Sequence, residues 1–365
     1  MAPVAKQLAL SGLFDVQVCI TAQHREMLDQ ALALFKIKPK YDLDIMKPGQ
    51  DLTDITVASL KGVGDVLRQS SPDMVLVHGD TTTTFSASLA AFYQKIPVGH
   101  VEAGLRTWDQ YSPWPEEMNR RMTSAIASLH FAPTQKAKEN LLREGISPAS
   151  VFVTGNTVVD ALLETSEVIE TDKSIGESLA KEFSFIAPDK KLILVTGHRR
   201  ENFGEGFENI CHALQALAER DDIQIVYPVH LNPNVQEPVR RLLGNRKRIH
   251  LVAPVPYLQF VYLLKRAYII LTDSGGVHEE APTFDKPVLL LRAITERPEA
   301  LHAGTVRLVG TDKGKILQEA TRLLESRSEY EQMVRKENPY GDGLAAKRIA
   351  EIMAERWKDK GRDAK

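Results

Sequence analysis

Short runs of aliphatic and β-branched residues alternate with longer stretches of helical periodicity along almost the whole chain, and no other feature restricts the fold so far. A strand, a helix and a second strand in this succession form a parallel sheet, because each helix must carry the chain back to the same end. The runs predict strands at 16–21, 74–77, 97–101 and 151–153, and again at 192–196, 223–229, 249–252, 269–272 and 288–291. Helices are expected between them at 24–35, 54–69, 83–93, 116–128, 135–144, 208–220 and 235–243. At 365 residues the chain exceeds one ordinary core, so two doubly wound α/β domains are expected. They are read as residues 1–165, with 345–365 packing back on them, and residues 166–344. The charged stretch 160–190, which holds Pro188, is the expected join. A doubly wound domain opens on a buried strand and a Gly-rich turn. This chain opens on a helical pattern at 2–10, so the first strand of the first domain is expected to be missing.

A formal net charge of -2 offers no basic field for nucleic acid and no acidic tail for a basic partner. The two cysteines, Cys19 and Cys211, have the spacing of neither a metal site nor a disulfide framework. Both are read as core or near-core residues of a protein in a reducing cytoplasm. No apolar run reaches the length of a membrane span, and the N-terminus lacks a signal peptide's pattern.

Five motifs stand at expected strand ends or helix starts, where ligands of open α/β sheets gather. His78-Gly79-Asp80-Thr81 offers the Asp80 carboxylate; the alternative is that Asp80 or a nearby threonine caps the next helix. Gly99-His100-Val101-Glu102 ends on an acid that should be buried, with an ion pair to Arg106 as its alternative. Pro115-Glu116-Glu117 reads either as a helix start with acids at the positive end or as a third functional carboxylate, Glu116. Three such carboxylates in one domain suit the removal and return of a proton at a weakly acidic carbon. Gly197-His198-Arg199-Arg200 is a site loop or a solvated charged loop. Asp273-Ser274-Gly275-Gly276 opens a helix after a strand and can meet a phosphate with backbone N–H groups and a hydroxyl, and Glu280 stands one turn on. A tight turn is the simpler alternative for the glycine pair.

Taken together, the segments 78–84, 100–107, 111–120, 197–202, 273–282 and 295–299 resemble the non-hydrolysing UDP-N-acetylglucosamine 2-epimerases in order and spacing. The resemblance implies a glycosyltransferase-B-like pair of Rossmann-like domains with the active site in the interdomain cleft, and it makes the C-terminal domain the UDP-binding one. It implies reversible epimerisation of UDP-N-acetylglucosamine to UDP-N-acetylmannosamine at carbon 2, through elimination of UDP to 2-acetamidoglucal and its re-addition. Asp80, Glu102 and Glu116 would then be the acid–base carboxylates, with the assignment to faces open, and His198 would act near the leaving UDP. Ser274, Gly275 and Gly276 would hold the diphosphate, Glu280 the ribose, and Arg297 would help order the cleft. Gln23, Arg199 and His230 match positions that contact a second UDP-N-acetylglucosamine acting as activator. Glu26 stands where glutamine is frequent, and Gly49 where arginine occurs. No metal or redox cofactor is implied, and a homodimer is. Family members begin with a strand and a Gly-Thr-Arg-Pro-Glu segment, and this chain starts just after it.

Three rivals remain on the residues alone. A glycosyltransferase of the same architecture would need an acceptor, a binding protein would hold UDP without turnover, and a metal-dependent phosphoesterase would need further ligands at strand ends.

Overall fold

The apolar runs fold as short parallel strands in a computed structural model that describes residues 1–22, 25–295, 297–334 and 337–363, with the backbone alone at 26–27 and 358–363. In chain order they are β1 (Cys19–Ile20), β2 (Tyr41–Asp42), β3 (Val75–His78), β4 (Val98–Val101), β5 (Leu129–Ala132) and β6 (Val151–Val153), then β7 (Lys191–Thr196), β8 (Ile223–Pro228), β9 (Ile249–Val252), β10 (Ile269–Thr272), β11 (Val288–Leu290) and β12 (Val306–Leu308). The chain divides into two compact units, residues 1–161 with 340–365, and residues 162–339. The stretch read as a join is helical up to Glu182, and the helix Thr157–Thr171 takes the chain from one unit into the other.

In the first unit β3, β4, β5 and β6 form one parallel sheet in that order, and β1 and β2 form a separate pair. Among the described residues no strand joins β1 to β3, although Thr21 Oγ1 lies 3.1 Å from Thr83 Oγ1 beyond the end of β3. Cys19 is exposed rather than a core residue, because the alternation of β1 turns Ile20 inward instead. One core of this unit joins Val4 and Leu8 of the helix Ala2–Leu10 to Val101 and Phe131 of the sheet and to Ala346, Ile349 and Met353 of the helix Ala345–Asp363. Asp160 fixes that last helix: its carboxylate accepts the N–H groups of Ala345 (3.2 Å) and Ala346 (2.8 Å), donors that a helix start otherwise leaves unsatisfied.

The second unit is a six-stranded parallel sheet in the order β12-β11-β10-β7-β8-β9, with its order reversing between β7 and β10. Helix Glu205–Leu217 shows why its sequence folds this way. Phe207, Ile210, Cys211, Leu214 and Leu217 recur at three and four residues and are all buried, which places one stripe on the sheet. Each such side chain contributes on the order of 1.5–3 kcal/mol by leaving water. The reversal of strand order matters for function, since ligands of open α/β sheets bind beyond the strand ends at the point where the order reverses.

Candidate active site

In the first unit, the turn after β3 is held by side chains at three consecutive carbonyls. The Thr84 hydroxyl donates to His78 O (2.6 Å), His100 Nε2 to Gly79 O (2.8 Å) and Asn119 Nδ2 to Asp80 O (3.0 Å). A carbonyl can only accept, so His100 carries its proton on Nε2, and burial pulls its pKa down to about 3. Thr81, not Asp80, caps the following helix, accepting the Thr84 N–H at 3.3 Å. Asp80 is thereby left for another partner. Its Oδ2 lies 2.5 Å from Arg120 Nη2, and Arg120 Nη1 donates to Glu117 Oε2 at 3.3 Å. Glu117 is fully buried and also accepts the N–H groups of Thr107 (3.1 Å) and Trp108 (3.2 Å).

Glu102 follows β4 with φ at +64°, a left-handed conformation that costs a residue with a side chain roughly 1–3 kcal/mol. Asn156 Nδ2 donates to its Oε1 at 3.3 Å, and its Oε2 lies 3.6 Å from His78 Nε2. That nitrogen is shielded from solvent, and burial holds the His78 pKa down at about 3 against the pull of Asp80, so this contact joins a carboxylate to a neutral ring. The Glu102–Arg106 ion pair expected as an alternative does not form. Arg106 instead grips Glu144 with Nε (3.0 Å) and Nη2 (2.6 Å), because its buried guanidinium lies toward the helix Gln135–Arg143 that Glu144 closes. Gly79, at φ +70°, packs against Glu102: a Cβ there would meet Glu102 Oε2 at 3.2 Å. Glu116 is the first residue of the helix Glu116–Ile126, and its Oε2 is buried without a hydrogen-bond partner among the described residues.

In the second unit, β7 and β10 are neighbours, and their loops are pinned together by Asp273. This carboxylate accepts the N–H groups of His198 (3.0 Å) and Arg199 (2.9 Å) and Asn202 Nδ2 (3.1 Å). Gly197 gives the loop its room, since a Cβ would meet the Tyr227 hydroxyl at 2.9 Å. The His198 ring stacks on His230, which follows the adjacent strand β8, with centroids 5.6 Å apart. Burial lowers the His198 pKa, Asp273 opposes that shift, and Arg199 and His230 reinforce it. Arg199 Nε is buried without a hydrogen-bond partner among the described residues, a donor suited to an anion.

Ser274, Gly275 and Gly276 make the turn from β10 into the single helical turn Val277–Glu280, which continues as the 3-10 turn Ala281–Phe284. The Ser274 N–H is already used by Thr272 Oγ1 at 2.9 Å. Glu280 is buried, receives the Tyr257 hydroxyl at 3.0 Å, and is pushed up to about 7 by burial. Arg297 is ion-paired with the buried Glu279, which ties its loop to the same turn. Gln23 lies outside the described residues. Sequence reasoning assigned no role to Glu117, Arg120, Asn156 or Asp273. The signal available for Asp273 was a charged residue directly after four apolar or β-branched ones.

A family model described as UDP-N-acetylglucosamine 2-epimerase matches residues 6–354. The chain belongs to that family. Membership makes it an enzyme of the epimerase class. Within the family, the UDP-N-acetylglucosamine 2-epimerase of Escherichia coli (strain K12) is 59% identical over 354 residues, covering 97% of this chain and 94% of the relative. The crystal structure of UDP-GlcNAc 2-epimerase from Neisseria meningitidis bound to UDP-GlcNAc matches with a TM-score of 0.92 at 54% identity, over 97% of this chain and 96% of that one. The Methanocaldococcus jannaschii UDP-GlcNAc 2-epimerase in complex with UDP-GlcNAc and UDP matches with a TM-score of 0.81 at 35% identity, over 97% and 95%. The family fold is the glycosyltransferase-B-like α/β fold, and a glycosyltransferase from Rickettsia africae, 15% identical at a TM-score of 0.60, shares that fold alone. No helix among the described residues is long and apolar enough to cross a membrane.

Proposed function

We propose that this epimerase interconverts UDP-N-acetylglucosamine and UDP-N-acetylmannosamine by elimination and re-addition of UDP. A carboxylate of the first unit takes the proton from carbon 2, the bond from carbon 1 to the UDP oxygen breaks, and 2-acetamidoglucal and UDP result. UDP then adds back to carbon 1, and a proton reaches carbon 2 from the opposite face. Asp80, Glu102 and Glu116 carry these transfers. The observation that supports this reading most is the Glu102 carboxylate, held at a strand end by the Asn156 amide and beside a neutral His78. The unpartnered Oε2 of Glu116 supports it as well.

In the second unit, His198 acts near the leaving UDP, Ser274, Gly275 and Gly276 hold the diphosphate, and Glu280 accepts from the ribose. Arg297 acts by anchoring its loop to Glu279. Arg199 and His230, with Gln23, bind a second UDP-N-acetylglucosamine as activator, a reading that the buried unpartnered Arg199 Nε favours. UDP is a good leaving group, so the reading calls on no cofactor. A homodimer in the cytoplasm completes it, with two free cysteines in accord.

The test is incubation with UDP-N-acetylglucosamine in D2O, followed at carbon 2 by proton NMR. UDP-N-acetylmannosamine with deuterium at carbon 2 is the expected product. Epimerisation without solvent exchange would sink the proton-transfer reading, and release of UDP only with an acceptor sugar would favour a transferase.

A further inference from the structure

Asp273 directly follows β10 and has no exposed surface. The His198 N–H lies 3.1 and 3.0 Å from its two oxygens, the Arg199 N–H lies 2.9 Å from Oδ2, and Asn202 Nδ2 lies 3.1 Å from Oδ2. Oδ1 is also 3.6 Å from His198 Nδ1. A buried carboxylate is expensive to desolvate unless its lone pairs are filled, and here donors from one loop fill them. An ordinary turn needs no such group. Two consecutive backbone N–H groups converge on the acid, one of them from the residue whose ring it also touches.

We infer that Asp273 is a positioning residue for the reaction, fixing the backbone of His198 and Arg199 beside the turn Ser274–Gly276 and aiming the His198 ring. With Nδ1 on the side of the carboxylate, Nε2 is the ring nitrogen left for a bound diphosphate. The inference rests on the reading of His198 as the group at the leaving UDP. The groups that bear on the protonation of His198 are Asp273, Arg199 and His230: burial lowers its proton affinity most, Asp273 opposes this, and Arg199 and His230 reinforce it. Loss of the negative charge therefore moves the His198 titration downward.

The experiment follows the His198 imidazole by NMR titration in the full-length enzyme, assigned with His198→Gln, before and after Asp273→Asn. In Asp273→Asn the ring is expected to take up its proton at lower pH. Turnover is expected to fall about tenfold or more while KM stays within about threefold, the split expected when orientation rather than uniform binding is lost. An unchanged His198 titration in folded Asp273→Asn overturns the inference. If that variant does not fold, hydrogen exchange in the wild-type enzyme decides. Protected amides at His198 and Arg199 support the role, and exchange at open-loop rates overturns it. The reading of His198 itself fails separately, if His198→Gln turns over at the wild-type rate, and neither NMR readout depends on that result.

Discussion

Asp80 and Arg120 meet at 2.5 Å, and the same guanidinium reaches Glu117 at 3.3 Å, so one cation spans two carboxylates on different elements. A lysine keeps the charge but presents a single point rather than a fork. Arg120→Lys is therefore expected to lose turnover by about ten- to a hundredfold, since the Asp80 carboxylate loses its fixed orientation. Full activity in steady-state assays of this variant would show that the bridge is dispensable.

Glu102→Gln should keep UDP binding, measured by calorimetry, and lose epimerisation by about a hundredfold or more, the usual scale for a missing acid or base. Deuterium incorporation at carbon 2 should fall in parallel. Retained exchange with lost product would move the proton-transfer role to another carboxylate.

Gly79→Ala adds a Cβ that meets Glu102 Oε2 at 3.2 Å, on a backbone at φ +70°. The expected result is a loss of about 1 kcal/mol or more in stability, read from denaturant unfolding, with a lower kcat. A variant as active and stable as the wild type would mean that the turn and Glu102 are not fitted to each other.

Glu280 carries its own pH signature. Its pKa rises from 4.5 to about 7 through burial, with the Tyr257 hydroxyl opposing. The sign follows from the raised value: the protonated carboxyl stabilises the fold fully below pH 4.5, and that contribution is lost as pH rises through about 7. Glu280→Gln cannot ionise, so its unfolding free energy relative to wild type should climb across this window, by an amount on the order of 3 kcal/mol at most. A pH-independent difference would contradict the shift. UDP affinity should fall in the same variant, where an amide replaces the acceptor for ribose hydroxyls.

Phe92 and Tyr93 end the helix Thr82–Tyr93 with 59% and 67% of their surfaces exposed, more apolar area than a helix end facing water usually shows. If the homodimer uses this helix end, the double substitution of Phe92 and Tyr93 by Asp should shift sedimentation toward monomer. An unaltered sedimentation coefficient would place the dimer contact elsewhere, and a monomeric wild type would remove the dimer from the reading.

The sheet strands with consecutive β-branched residues, such as β7 and β10, were legible because a buried parallel strand has to be apolar on both faces. Strand β5 was not: Leu129-His130-Phe131-Ala132 holds no β-branched residue and directly follows a helical pattern. Strand β1 falls within the run expected at 16–21, whereas the two-residue β2 offers too little sequence for any period to register. At the site, Asp80 and Glu102 could be picked out because they stand at strand ends, although Asp273 at the end of β10 was passed over. Arg120 and Asn156 could not, since their meaning lies in contacts 40 and 54 residues away along the chain. Glu117 was hidden beside Glu116, where both residues suit a helix start equally well.

The return of the chain to the first unit sets an order of events during synthesis. Ala346, Ile349 and Met353 belong to the core that also holds Val4 and Leu8, and Asp160 waits for the N–H groups of Ala345 and Ala346. Residues 162–339 leave the ribosome in full before any of these partners exist. The unit that is second in the sequence can therefore finish folding first, while the one translated earlier keeps an open core. Truncation just after Tyr340 would strand that first unit without its closing helix while leaving the second whole.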